Sequence, residues 1–304
     1  MATISAVLIV KNEEALLGRC LESLKELDEI IILDTGSTDG TEQVIRKFAE
    51  EHPDTKVDAH FGEYQWNDNF AEARNKAQAY ATGDWILVVD ADEVLDAKAA
   101  DIRDYVQRLD PAIEVVAFWV QSLGGHSRHH STRLYRRSEK LYWLSAVHNY
   151  LSKVADIQSD FFVRAGYSPA HKQDPDRALR MLERAVLDEP KSSRMWYYLG
   201  REYGYKKRWA ESENALRQCL KISTWGLERQ DAHLLLARAL WFQRKGPAAR
   251  LECLRAIGMN PEFKEALLFM GDMSYPAARK AWHRYAETAT QENLLFARCP
   301  SERR

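Results

Sequence analysis

Apolar residues follow two different rhythms along this 304-residue chain, and the rhythm changes once. Up to about residue 110, short apolar runs alternate with longer segments whose apolar positions fall three and four apart. The runs Ala6 to Val10, Ile30 to Leu33, a weaker Lys56 to His60 and Trp85 to Val89 predict strands. Between them, Glu14 to Glu26, Thr41 to Glu51 and Asn69 to Ala81 predict helices. Such alternation implies βαβ units around a mainly parallel sheet, an α/β fold of Rossmann-like kind. From Glu114 to Arg164, strand-like pieces return at Val115 to Val120, Arg133 to Tyr135 and Asp160 to Val163. These are expected to extend or edge the sheet.

After Asp174 the pattern is helical throughout. Trp196, Leu199, Gly200 and Tyr203 share one helix face; Ala232, Leu235, Leu236 and Ala239 form the next; Ala266, Leu267, Met270 and Gly271 form a third. The small residues Gly200, Ala237 and Gly271 stand 37 and 34 positions apart. A period near 34, with a small residue where paired helices approach, resembles tetratricopeptide arrays. Trp196 to Ser223 is similar to one such unit, and Asp176 to Pro190 to the second helix of an incomplete earlier one. The expected division is therefore an α/β domain over 1–170 and an all-α repeat domain over 171–304.

Composition narrows the function class. With 45% apolar residues the chain can bury a core, and no apolar run reaches the roughly 20 residues of a membrane span. The N-terminus has neither a basic start nor a small-residue cleavage site, so no signal peptide is expected. Cys20, Cys219, Cys253 and Cys299 lie at wide, unpatterned spacings, which speaks against a zinc site or a disulfide framework and for a reducing cytoplasm. The 43 basic and 45 acidic residues nearly cancel, so no global field advertises a nucleic-acid partner.

Chemistry concentrates where the predicted strands end. The run W-I-L-V-V-D-A-D-E, Trp85 to Glu93, stops on Asp90 and Asp92. A strand so continuously apolar suits a sheet covered on both faces, and ligands of open α/β sheets collect at the carboxyl ends of their strands. Two carboxylates there offer hard oxygen donors for Mg²⁺ or Mn²⁺; the alternative is a surface turn with two solvated acids. The first strand ends in Lys11-Asn12-Glu13-Glu14, and the second in Asp34-Thr35-Gly36-Ser37-Thr38-Asp39-Gly40. Asp34 can accept hydrogen bonds from a base or ribose, and the backbone near Gly36 can approach a polar ligand closely. Ser37, Thr38 and Asp39 also suit a helix cap.

Residues 4 to 95 resemble a family 2 glycosyltransferase of GT-A fold: I-V-K-N-E-E, D-T-G-S-T-D-G-T, F-A-E-A-R-N and G-D-W-I-L-V-V-D-A-D-E arrive in the family's order and spacing. The resemblance implies inverting transfer from a nucleoside-diphosphate sugar, foremost a UDP-sugar, with Mn²⁺ or Mg²⁺ held at Asp92 and Asp90. Donor contacts are implied for Val10, Lys11, Glu13, Asp34, Ser37, Arg74, Asp90 and Ala91. Of these, Glu13 and Asp34 fall near the nucleoside, Asp90 near ribose and metal, and Arg74 near the base or diphosphate. The basic run Arg133 to Arg137, then Trp143 and Val147-His148, is similar to the family's strand that leads to a His near the donor. His148 would complete the metal sphere or touch the diphosphate. Many relatives carry Glu at the next position, but here it is Asn149, so no acidic base is carried over. Inversion needs a proton acceptor opposite the leaving group, and Glu93 and His148 are the candidates. His126, His129 and His130 read as an acceptor-side flap or a solvated loop.

The repeats would present an acceptor, since such arrays make extended concave surfaces. A protein or a saccharide fits; a modified base in DNA is less favoured, because Lys206, Lys207 and Arg208 beside Trp209 read first as an inter-helix turn. The competing reading is a non-catalytic tetratricopeptide scaffold with a degenerate transferase domain. A nucleotidyltransferase would need a Gly-rich basic loop after the first strand, and K-N-E-E is not one. Oligomeric state stays open, a homo-oligomer included.

Overall fold

The computed structural model describes residues 2–122, 128–166 and 174–289. Its contacts divide the chain into two units, one running to Pro175 and the next beginning at Asp176. The expected boundary at 170/171 lies outside the described residues.

The first unit runs β1 (Ile4–Val10), α1 (Leu17–Leu24), β2 (Glu29–Asp34), α2 (Thr41–Glu51), β3 (Lys56–His60), α3 (Phe70–Ala79), β4 (Trp85–Val88), β5 (Glu93–Asp96), α4 (Ala99–Gln107), β6 (Val115–Ser122), β7 (Arg128–Arg136), β8 (Trp143–Leu144), β9 (Tyr150–Leu151) and β10 (Ile157–Ala165). Eight strands form one sheet in the order β3-β2-β1-β4-β7-β6-β10-β5, and β8 and β9 pair separately. β1 pairs in parallel with β2 and β4, and β2 with β3. β7 is antiparallel to both β4 and β6, β10 returns parallel to β6, and β5 closes the edge antiparallel to β10. The sheet is mixed and mainly parallel.

Alternation along β1 explains its unbroken apolar run. Ile4, Ala6, Leu8 and Val10 face a core shared with Leu17 and Leu21 of α1 and Ile45 and Phe48 of α2. Val7 faces the opposite core with Ala73 and Ala77 of α3. Successive side chains of a strand point to opposite faces, so a strand covered on both sides must be apolar at every position. Each fully buried Leu or Ile contributes about 1.5–3 kcal/mol.

The pieces between Glu114 and Arg164 extend the sheet, but the edges belong to β3 and β5. β5 and α4 were not predicted: Glu93–Asp96 is four residues with an acid at each end, and it is a strand only because β10 lies beside it. His129 and His130 belong to β7, opposite Val120 and Trp119, and not to a loop; His126 lies outside the described residues.

The second unit contains α5 (Arg177–Asp188), α6 (Ser193–Tyr205), α7 (Trp209–Ile222), α8 (Gly226–Phe242), α9 (Gly246–Met259), α10 (Lys264–Asp272) and α11 (Pro276–Thr288). Each helix packs on the next, and α6 also meets α8, which is the neighbour relation of stacked helix pairs. The small residues sit where helices come closest. A Cβ on Gly200 would lie 2.6 Å from the Leu216 side chain, and one on Gly271 would lie 2.4 Å from His283. Ala237 is fully buried. Among the described residues no helix is long and apolar enough to cross a membrane.

Candidate functional site

Register brings three strand ends to one rim. Val10 pairs with Asp34, and Val7 with Val88, so the chain leaves β1, β2 and β4 side by side. The loops after β1 and β2 are tied to each other. Asp34 Oδ1 accepts the N–H groups of Gly36 and Ser37, both at 2.7 Å. Asn12 N–H donates to Ser37 Oγ at 2.9 Å, Thr38 N–H to Asn12 Oδ1 at 2.7 Å, and Glu13 N–H to Thr41 Oγ1 at 2.8 Å. Gly36 takes φ +101°, a conformation that strains any residue with a Cβ. Asp39 Oδ1 accepts from Thr41 N–H at 3.0 Å just ahead of α2, whose N-cap position is Gly40 and not Ser37, Thr38 or Asp39. Ser37 thus serves the loop through its oxygen, Asp34 keeps its second carboxylate oxygen for another partner, and Lys11 is exposed beside them.

Beyond β4 the chain makes a turn closed from both sides. Glu93 N–H donates to Asp90 O at 2.9 Å, and Asp90 N–H donates to Glu93 Oε2 at 2.9 Å. Two buried guanidiniums then lock the acids. Arg74 Nη2 lies 2.5 Å from Asp90 Oδ1; Arg133 Nη2 lies 2.6 Å from Glu93 Oε1, and its Nη1 lies 3.7 Å from Asp90 Oδ2. Charges alternate through Arg74, Asp90, Arg133 and Glu93. The Nε groups of Arg74 and Arg133 are buried without a hydrogen-bond partner, a cost tolerated for the ion pairs beside them.

Arg133 reaches this position through a break in the sheet. Val116 pairs with Leu134 and Ala117 with Thr132, so Arg133 is the extra residue of a bulge in β7. A bulge re-aims one side chain. Sequence reading named the basic run but not Arg133 as a site residue; the available signal was an arginine directly before the apolar pair Leu134-Tyr135.

The two carboxyls respond oppositely to burial. Burial acts to raise the Asp90 pKa, but Arg74 and Arg133 outweigh it and hold the carboxyl down at about 2. Glu93 is more deeply buried: burial pushes it up to about 7, with Asp90 and Asp92 adding to the rise against the pull of Arg133. Asp92, at the turn and partly exposed, has its carbonyl oxygen held by Gly166 N–H at 2.9 Å and Arg19 Nη2 at 3.1 Å. Cys20 Sγ donates to Asp90 O at 3.5 Å.

α3 delivers Arg74 and also docks the small hairpin. Asn69 caps it by accepting Glu72 N–H at 3.0 Å. Asn75 Oδ1 accepts Trp143 N–H at 2.7 Å while its amide donates to Trp143 O at 2.9 Å; Gln78 donates to Leu141 O at 3.0 Å. Phe70 N–H donates to Ala146 O at 2.8 Å. The Arg74 guanidinium lies 5.0 Å from the centre of the Trp143 ring. His148, with φ +49°, sits between β8 and β9 in this docked hairpin.

Among the described residues no three His, Cys, Asp or Glu side chains cluster as a metal cage. The donor set fits a different arrangement, in which Mg²⁺ or Mn²⁺ takes one or two carboxylates and completes its sphere with water and substrate phosphates. Asp92 is the acid suited to that, since Asp90 is bound to arginine.

The model of the family described as "Glycosyl transferase family 2" matches residues 5–165. A glycosyltransferase of Bacillus subtilis, SunS, is 29% identical over 218 residues, covering 66% of this chain and 49% of its own length. A TPR repeat-containing protein of Synechococcus elongatus is 47% identical over 100 residues, covering 33% of this chain and 23% of its own. The chain therefore spans half or less of these curated relatives. The structure of S. aureus TarS 1-349 with UDP-GlcNAc superposes with a TM-score of 0.48 at 14% identity, covering 84% of this chain and 92% of that one. Because the family model spans more than half of its residues, this chain belongs to glycosyl transferase family 2.

Proposed function

We propose that the chain is an inverting, divalent-metal-dependent glycosyltransferase that moves a sugar from a nucleoside-diphosphate donor, foremost a UDP-sugar, to a hydroxyl of a protein or saccharide. The observation that carries this reading is that Asp34 closes β2 and Asp90 and Asp92 follow β4, the two strands flanking β1, with Arg74 of α3 paired to Asp90. Asp34 binds the nucleoside through its second oxygen, with Val10 and Glu13 beside it. Arg74, anchored by Asp90, faces the base or diphosphate, and exposed Lys11 adds a second cation. Ser37 and Ala91 shape the backbone around the donor. Asp92 would hold Mn²⁺ or Mg²⁺, which when bound neutralises charge on the leaving diphosphate.

Glu93 has one oxygen committed to Asp90 N–H and the other to Arg133, and is assigned to positioning. The proton acceptor is then His148, which we retain from the two sequence candidates. The buried free thiols Cys20, Cys219 and Cys253 suit a reducing cytoplasm. Calorimetry with UDP and Mn²⁺ tests the reading. Asp92→Asn should weaken metal-dependent binding at least about tenfold, or 1.4 kcal/mol, with an unchanged far-UV spectrum. Unchanged binding sinks the metal assignment; no hydrolysis of any nucleotide sugar in a donor panel favours the scaffold reading.

A further inference from the structure

Besides packing its apolar face against the sheet, α1 grips the segment that follows β4. Arg19 Nη2 donates to Asp92 O at 3.1 Å and Cys20 Sγ to Asp90 O at 3.5 Å, while Leu95 N–H donates to Ser23 Oγ at 3.1 Å. β5 is an edge strand with β10 as its one neighbour, so the helix takes an N–H that no second strand can. Ser23 Oγ in turn donates to Cys20 O at 2.6 Å, which holds the hydroxyl in place. Arg19, Cys20 and Ser23 span little more than one helical turn, and together they clamp backbone groups of Asp90, Asp92 and Leu95.

The firmest hold falls on one peptide unit. The unit joining Asp92 to Glu93 has its carbonyl bound by Arg19 and by Gly166 N–H at 2.9 Å, while its own N–H donates to Asp90 O at 2.9 Å. A peptide unit is planar, so bonds at both of its polar groups fix its orientation. The direction in which the Asp92 side chain leaves the backbone follows. Gly166 comes too close for any side chain: a Cβ there would lie 2.6 Å from Asp92 O and 2.5 Å from Arg19 Nη2. Arg19 itself is exposed, so removing it takes little from the core.

We propose that Arg19, together with Gly166, is a positioning residue for the divalent cation: by fixing the Asp92–Glu93 peptide it keeps the Asp92 carboxylate where Mg²⁺ or Mn²⁺ can take it. Resting on the metal role of Asp92 proposed above, this assignment gives Arg19 no contact with donor or cation. Mg²⁺ demands near-ideal octahedral geometry and is held by only one or two carboxylates. A carboxylate free to swing therefore binds it weakly, and groups that orient a ligand in this way are worth about 10- to 100-fold in metal affinity. The competing use of Arg19 is a guanidinium aimed at the diphosphate. That contact would act with or without metal, which separates the two.

Two measurements on the full chain test it. Without metal or nucleotide, hydrogen exchange of the segment 89–96 should quicken at least about fivefold in Arg19→Met and recover in Arg19→Lys, which keeps a donor on a long stem. By calorimetry, Arg19→Met should weaken Mn²⁺-dependent UDP binding about tenfold, while UDP affinity without metal stays within about twofold. Gly166→Ala removes no charge, yet it should produce the same split by displacing the Asp92 carbonyl. Added to Asp92→Asn, Arg19→Met should cost nothing further. Three results overturn the assignment: unchanged exchange in Arg19→Met, an equal loss of UDP affinity without metal, or a loss that persists in full beside Asp92→Asn. UDP binding that ignores Mn²⁺ in the unaltered chain sinks the Asp92 reading and this one with it, whereas a failure confined to the Arg19 and Gly166 variants leaves the Asp92 reading standing.

Discussion

Arg133 shows how much one backbone irregularity decides. Its guanidinium is buried at a bulge and contacts two acids of the turn after β4. Removing one partner from such a network leaves charge buried and uncompensated, which costs about 3–5 kcal/mol, less where water reaches the partner, as it does at 39% exposed Asp90. Arg133→Met should therefore destabilise the first unit by about 2–4 kcal/mol in urea unfolding. Arg133→Lys keeps the charge but not the two-pronged reach, so it should restore most of the stability while UDP affinity in Mn²⁺ stays about tenfold low. A lysine variant with full affinity would show that the guanidinium only fills space. Glu93 gives a test in pH. Its folded pKa lies above its unfolded value, so between about 4.5 and 7 the folded protein holds a proton that the unfolded chain has lost. Stability must fall as pH rises through that window, and Glu93→Gln should flatten the slope; an unchanged slope places the titration elsewhere. Asp34 and Asp90 were legible as strand-end residues because each follows directly on an apolar run, and Asp92 because it stands two positions beyond Asp90. Arg133 was not, since its position depends on how β7 pairs with β6, a contact that no local pattern encodes.

Elements were legible where one apolar stripe or run decides them. Thr41–Glu51 and Lys56–His60 occur as α2 and β3 with the expected limits. α1 starts three residues later than its pattern suggested, because the N–H groups of Glu13 and Glu14 are hydrogen-bonded to side chains of the neighbouring loop. β8 and β9, two residues each, carry no periodicity at all and depend on α3 for support. The repeat pattern in the second unit makes a sharper demand on its small residues. Gly200→Ala would place a methyl 2.6 Å from Leu216 and 3.2 Å from its backbone nitrogen, and overpacking of that kind costs about 1–3 kcal/mol. Gly258, in α9, has nothing within 4 Å of where its Cβ would stand. There the alanine gains helix propensity, up to about 1 kcal/mol. Urea midpoints of the two variants should move in opposite directions. If both rise, the close approach of α6 to α7 is looser than drawn.

At the scale of the whole molecule, every residue assigned to the donor lies between Val10 and His148, inside the unit that ends at Pro175. That unit has buried cores on both faces of its own sheet, and a domain with its own core can fold alone. The repeat-like helices α5 to α11, by contrast, belong wholly to the unit that begins at Asp176. Donor binding and acceptor capture should therefore be separable by cutting the chain. A fragment ending at Pro175 should bind UDP with Mn²⁺ within about threefold of the full chain, a difference under 1 kcal/mol, and should still hydrolyse a donor sugar slowly to water. Transfer to a protein acceptor should drop by a far larger factor, because the fragment has lost the surface that raises the local concentration of acceptor. The comparison is read by calorimetry for UDP and by mass spectrometry for sugar added to acceptor. If a folded fragment, judged by cooperative unfolding, fails to bind UDP, then residues after Pro175 complete the donor site. If it transfers as well as the full chain, the helical unit serves some purpose other than acceptor capture.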